Sequence, residues 1–353
     1  MSLMAVSCCA LTQNGSAKPH PLTAQAQPEN YVFFNLNRAG IKKAEFYDSK
    51  QFKGAQIKYT WKSLEQSRDV YDFSAIEEDL NFLAAKGKKL FIQIQDVSFD
   101  PNIINVPDYI VKDPQFHGGA NLQYEFTDDK DGNAKKAGWV ARRWDPAVAA
   151  RFHKLLNELG RHFDQRIAGI TLPETSVDFG STGKYYPPGF SAEKYSQAII
   201  GNMKEVRLAF RKSVIIQYAN FMPGEWLPWD DKGYLASVFE YAKTIHIGIG
   251  GPDIIPYRKS QMNHNYHFAP NYQGSLTLGY AVQEGNYDQL NAKTGRRVSV
   301  PEIYDFAVNY LKADYIFWYP QEPYFSRDLK PFLRRILLLP KTPSEPGLNG
   351  FNR

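Results

Sequence analysis

Eight short apolar segments recur between residues 31 and 322, and amphipathic patterns fill most of the gaps between them. They are YVFFNLN (31–37), AQIKYTW (55–61), KKLFIQIQD (88–96), IAGITLP (167–173), SVIIQYANF (213–221), IHIGIGG (245–251), SLTLGYAVQE (275–284) and DYIFWYPQE (314–322). Strands separated by helices cannot close as tight hairpins. They need crossovers, and crossovers make parallel sheets. Eight such units predict a closed (β/α)8 barrel, a TIM barrel. An open doubly wound sheet is the alternative, and no Gly-rich dinucleotide turn follows the first strand to support it.

Helix signals sit where the barrel needs them. Ser74 reads as an N-cap with Glu77 completing a capping box over 73–87, and Gly87 as the stop. Asp145 caps a helix over 146–163 that has Pro146 at its first position. Ser191 caps 191–210, and further helices are predicted over 233–243, 300–313 and 327–339. The gap after the third strand is the exception. Residues 97–145 are polar and contain FTDDKDGNAKKAG (126–138), which reads as an exposed turn or hairpin. Connections this long inside a compact domain are functional or disordered.

The hydrophobic share of 43% can bury a core of this size, so residues 31–340 read as one catalytic barrel. Residues 1–30 read as a leader and linker, and 341–353 as a tail. The only cysteines, Cys8 and Cys9, lie in LMAVSCCAL (3–11), which is short, apolar and lipoprotein-signal-like although no basic flank precedes it. Export to the periplasm, cell surface or medium is therefore expected, with a lipid anchor at most and no membrane-spanning segment. Lys+Arg 42 against Asp+Glu 37 leaves +5, spread thinly, which argues against a nucleic-acid partner. The pair Arg142–Arg143 offers a contact for an acidic polysaccharide, although a solvated pair at a helix entry explains it as well. His264 and His267 in NHNYH (263–267) lack a metal-site signature, so neither a metal nor another cofactor is expected.

In a barrel, reacting groups stand at the C-terminal ends of strands. Strand four ends on Glu174 and strand seven on Glu284, while Asp96 ends strand three and Glu322 strand eight. Glu225, after strand five, is a runner-up acid. Two carboxyls at one mouth suit glycoside hydrolysis, in which one protonates the leaving oxygen and the other attacks the anomeric carbon or activates water. Aromatics make up 14% of the chain. Trp61, Trp226, Trp229, Tyr280 and Trp318 fall at or beside predicted strand ends, where flat rings can stack on sugars.

The segment YTWKSLEQSRDVYDFSAIEEDLNFLAAKGKKLFIQI (59–94) resembles the second-strand region of barrel β-galactosidases and related retaining glycosidases. There a Trp, a Leu-Glu and a Tyr-Asp-Phe lead into a helix, then Gly and the third strand. The resemblance implies Glu174 as acid/base and Glu284 as nucleophile. Placement at strand and loop ends makes Trp61, Asp96, Trp226, Trp229, Tyr280, Trp318 and Glu322 the expected contacts for a carbohydrate substrate. The chain departs from the pattern at Pro173. Many of those enzymes have Asn there, holding the substrate's 2-hydroxyl. A carbohydrate-binding barrel without turnover is the alternative that this departure raises.

Overall fold

The computed structural model describes residues 27–128 and 130–338. The leader, both cysteines and the tail beyond residue 340 lie outside the described residues. Eight parallel strands close into a barrel: β1 (Glu29–Phe33), β2 (Gly54–Thr60), β3 (Lys89–Gln95), β4 (Gly169–Leu172), β5 (Val214–Tyr218), β6 (Gly248–Gly251), β7 (Leu278–Val282) and β8 (Tyr315–Trp318). Each pairs with its neighbours in sequence order, and β8 pairs with β1. All eight predicted strands are present, most of them shorter than their apolar runs.

Large side chains fill the barrel. Tyr31, Phe33, Phe91, Ile216, Tyr218, Ala281 and Phe317 form a core of their own inside the strands. Phe91 meets Tyr31 edge-on at 5.1 Å and Phe317 at 5.0 Å. Glycines make the room. A Cβ on Gly169 would lie 2.2 Å from the Phe91 ring, and one on Gly279 would lie 2.5 Å from Ile216. Much of the aromatic excess is therefore packing.

The helices pack outside. They include α1 (Ser74–Ala85), α2 (Pro146–Phe163), α3 (Ala192–Ala209), α4 (Tyr234–Ile245), α5 (Val300–Asp305) and α6 (Lys330–Leu338). Asp145 caps α2 as expected, its Oδ1 accepting from the amides of Ala147 and Val148. Ser191 likewise caps α3. The predicted capping box at Ser74 does not form. Ser74 is already helical, and its amide donates to Asp72 Oδ1. A capping box forms instead at α5, between Ser299 and Glu302. The apolar run assigned to strand six splits differently, since Ile245 ends α4 and only Gly248–Gly251 is strand.

The long connection after β3 folds into an antiparallel hairpin, Ala120–Glu125 with Lys135–Ala141. Its base is stitched to the end of β3, where the Ser98 amide donates to Trp139 O. Its tip is tied to the loop after β4: Asp131 accepts from the amides of Ser181 and Thr182. The connection thus forms part of the wall beside Glu174. Among the described residues, no helix is long and apolar enough to cross a membrane.

Candidate active site

Strand β4 ends at Leu172, and Glu174 follows two residues later, at the mouth of the barrel. Its position is fixed from both sides. Gln217 Nε2 donates to Pro173 O at 2.8 Å. Arg143 Nη1 donates to Glu174 O at 2.8 Å, and Tyr195 Oη donates to Thr175 O at 2.9 Å. Asn220, just past β5, aims its Nδ2 at Glu174 Oε2 at 3.5 Å. The carboxyl keeps part of its surface open to the mouth but is ringed by protein. Burial therefore raises its pKa, the charge of Asp253 raises it further, and it is pushed up to about 7. Asn220, Lys58 and Arg143 pull the other way without winning.

Arg143 is the strut. Its Nε and Nη2 grip Asp96 at 2.8 and 2.6 Å, with both side chains almost fully buried. A planar fork matched to a carboxylate holds direction as well as charge. Arg143 and Asp96 are thus committed to each other and to the Glu174 backbone. Asp96 offers no free edge to a ligand, and Arg143 is no contact for a polysaccharide. Arg142 turns away to donate to the carbonyls of His117 and Pro188.

Glu284 stands two residues beyond β7, exposed. The Tyr319 phenol lies beside it and is raised by burial first and by the Glu284 carboxylate second. Tyr319 extends the inward face of β8, and its ring meets Phe33 at 6.2 Å. A third acid at the mouth, Asp253, escaped the sequence reading. It follows β6 in GGPDIIP and accepts from Asn286 Nδ2 at 2.8 Å. Burial raises its pKa. Lys58 escaped as well. It projects inward from β2 between Phe33 and Glu174, and burial lowers it to about 8.

The expected aromatic contacts divide by strand parity. On β7 and β8 the odd residues face inward, so Tyr280 and Trp318 face the helices. Both are fully buried. Trp318 Nε1 is spent on Asn30 Oδ1. Trp61 lies past β2 in a short helical turn, sealed against Phe152 with its Nε1 on Glu65 Oε2. These three are out of a ligand's reach, because closeness to a strand end does not set direction. Trp226 and Trp229 are 51% and 67% exposed. Trp226 stacks on Phe221 at 5.7 Å, and Phe221 follows Asn220 directly. His264 braces this loop. Its Nε2 accepts from the Leu227 amide, and its Nδ1–H donates to Ser260 O. Glu322 turns back on its own chain and accepts from Ser326. Glu225 caps α4 by accepting from the amides of Tyr234 and Leu235.

Two surface cavities, of about 510 and 480 Å³, lie elsewhere, and neither is lined by Glu174 or Glu284. The groups with shifted pKa at the barrel mouth, Glu174, Asp253 and Lys58, lie at the strand ends instead. No group of three or more His, Cys, Asp or Glu among the described residues is placed to hold a metal.

No family model matches the chain, and no curated protein matches it in sequence. Solved structures do match in shape. The catalytic domain of β-amylase from Paenibacillus polymyxa aligns over 88% of this chain and 99% of its own, with a TM-score of 0.55 at 8% identity. β-Galactosidase from Bacillus circulans sp. alkalophilus aligns over 83% of this chain and 50% of its own, at 0.51 and 9%. Xylanase 10B from Thermotoga maritima aligns over 84% of each, at 0.50 and 12%. At these identities the likeness is one of fold.

Proposed function

We propose that the chain is a glycoside hydrolase that cleaves O-glycosidic bonds of an oligo- or polysaccharide with retention. Glu174 serves as acid/base and Glu284 as nucleophile. The observation that carries this reading is Glu174 itself. A carboxyl at the β4 end, half open to the mouth and pushed up to about 7, holds a proton at neutral pH for a leaving oxygen. Glu284 at the β7 end supplies the second carboxylate that the reaction requires. The fold-level neighbours, a β-amylase, a β-galactosidase and a xylanase by name, favour glycoside hydrolysis by analogy.

The steps follow from the placement. Glu284 attacks the anomeric carbon while Glu174 gives its proton to the departing oxygen. The resulting Glu174 carboxylate then takes a proton from water, which displaces Glu284 and releases sugar of the original configuration. Pro173 leaves the usual Asn position without a side-chain donor. Asn220, across from Glu174, is the amide that can take its place.

A 2-deoxy-2-fluoro glycoside with a good leaving group tests the nucleophile. The fluorine slows the second step, so the sugar accumulates on the enzyme. Peptide mass spectrometry is expected to find it on Glu284. A label on Asp253 would move the nucleophile to β6, and inverted product seen by NMR would remove the covalent step. Trp226→Ala provides a separate check on the sugar platform. It removes a half-exposed ring stacked on Phe221 and tilted against His264, so stability is expected to fall by about 1–2 kcal/mol with the fold kept. Sugar affinity is expected to fall roughly tenfold, the usual worth of one aromatic face.

A further inference from the structure

The proposed reaction uses two of the carboxyls at the barrel mouth, Glu174 after β4 and Glu284 after β7. Asp253, two residues past β6, has no part in it. Yet Glu284 is exposed, whereas Asp253 is half-buried and anchored from two sides. Its backbone O accepts from the Tyr266 phenol at 3.0 Å, and that phenol takes the Ile255 amide at 3.0 Å. Its Oδ1 accepts from Asn286 Nδ2 at 2.8 Å. The Asn286 amide has one orientation only. Its Oδ1 accepts from the amides of Gln283 and Ile254 at 3.0 and 3.2 Å, so its Nδ2 must face Asp253. Gln283 directly precedes Glu284, and Asn286 thereby ties the loop of the unused acid to that of the nucleophile.

The other oxygen of Asp253 is open. Oδ2 has no hydrogen-bond partner among the described residues, and it is not closed to solvent. Arg258 is the cation that bears on this carboxyl, from beyond ion-pairing distance. The carboxyl shares its space with Glu174. Of the charges that bear on Glu174, that of Asp253 weighs most. Both acids also bear on the Tyr218 phenol, which lies inside the barrel on β5, the strand between theirs. The tie to Asn286 needs only an acceptor. A neutral Asn at 253 would supply one at less cost than a half-buried carboxylate. The tie therefore accounts for Oδ1 and leaves the charge and the open oxygen unexplained.

An ionised carboxylate only accepts, so it recognises a donor. The donors of a sugar are its hydroxyls, and a hydrogen bond from one to a charged acceptor is roughly twice as strong as one to a neutral acceptor. We infer that Asp253 is a substrate-contacting residue of the reacting subsite, its open oxygen accepting a hydroxyl of the sugar unit held at Glu174. Asn286 is the positioning residue that aims it. This rests on the glycoside hydrolase reading and adds a third acid to its site.

The test is calorimetric binding to the Glu174→Gln protein. The probes are the methyl α- and β-glycosides of glucose, galactose, mannose and xylose, whose poor leaving group that variant cannot protonate. The monodeoxy analogues of the tightest binder follow. One analogue is expected to bind about 10- to 100-fold more weakly than its parent, the usual worth of a hydrogen bond to a charged group. Adding Asp253→Ala is expected to weaken the parent by a similar factor and to leave that analogue unchanged, so the difference between the two disappears. The other analogues keep the hydroxyl in question and should weaken as the parent does. Asp253→Asn keeps an acceptor for Asn286 and should leave a smaller difference, which serves if the Ala variant does not fold. Thermal melting shows which variants are folded. A merely structural Asp253 would weaken the parent and every analogue alike. That result, a parent unaffected by the change at 253, or binding of none of the parents would each overturn the inference. The two readings separate cleanly. Hydroxyl-specific dependence on Asp253 beside a wild type that hydrolyses nothing would sink the hydrolase and leave the contact. Hydrolysis by wild type with no analogue sensitive to Asp253 would do the reverse.

Discussion

Replacing Glu174 with Gln is expected to lower kcat/KM on glycosides with poor leaving groups by about 10³-fold, in line with the loss of a positioned general acid. The loss should be far smaller on aryl glycosides whose leaving phenol needs no proton. A merely structural role would reduce both alike. Wild-type activity on poor leaving groups should fall as pH rises through about 7, where Glu174 gives up its proton. Glu174→Gln should lack that limb. Stability carries the same signature. The folded protein holds the Glu174 proton above the ordinary value of 4.5, so wild type loses stability as pH climbs from about 4.5 to about 7. Above that window the cost of the buried charge is fully present. Glu174→Gln is therefore expected to be the more stable protein at pH 8, by on the order of 2 kcal/mol after allowance for the open side of the carboxyl. Denaturant midpoints at pH 5 and pH 8 measure the difference.

The second large effect is at Arg143. Arg143→Ala would strand Asp96, which is 1% exposed and has no other side-chain partner among the described residues. An uncompensated buried carboxylate costs about 3–5 kcal/mol, which urea unfolding would read directly. The double variant Arg143→Met with Asp96→Asn should recover much of that, since it removes the charge along with its partner. Arg143→Lys separates positioning from folding. It keeps the charge but not the fork, and so loosens the hold on Glu174 O. The expected result is kcat down roughly 100-fold with KM little changed, as a small misplacement of a reacting group produces. An unchanged kcat would show that Glu174 is held without it.

The barrel was legible because its signal is repetitive. Eight apolar runs, with caps such as Asp145–Pro146 and Ser191 between them, leave few topologies open. The connection after β3 was legible as a turn or hairpin around 126–138, but its two strands were not, since they carry mixed polar residues such as Asn121, Gln123 and Lys136. Strand-end logic picked out Glu174 and Glu284. The same logic applied to GGPDIIP would have found Asp253. Lys58 was hidden for another reason. A lysine in the middle of AQIKYTW reads as the solvent face of a half-buried strand, and only closure of the sheet turns that face into the mouth. The reverse error placed Trp61, Tyr280 and Trp318 in the site. Large rings near strand ends look like platforms until parity and the turn after β2 send them outward. The Arg143–Asp96 pair joins residues 47 apart in sequence, and no local pattern announces it.

Turnover itself tests the central claim most directly. A panel of aryl glycosides and polysaccharides would be incubated with wild type and with Glu284→Gln under identical conditions. The account predicts release of reducing sugar or phenol by wild type from at least one member, and its near-complete loss in the variant. Sugar binding without release by either protein would contradict the account and make the barrel a carbohydrate-binding protein.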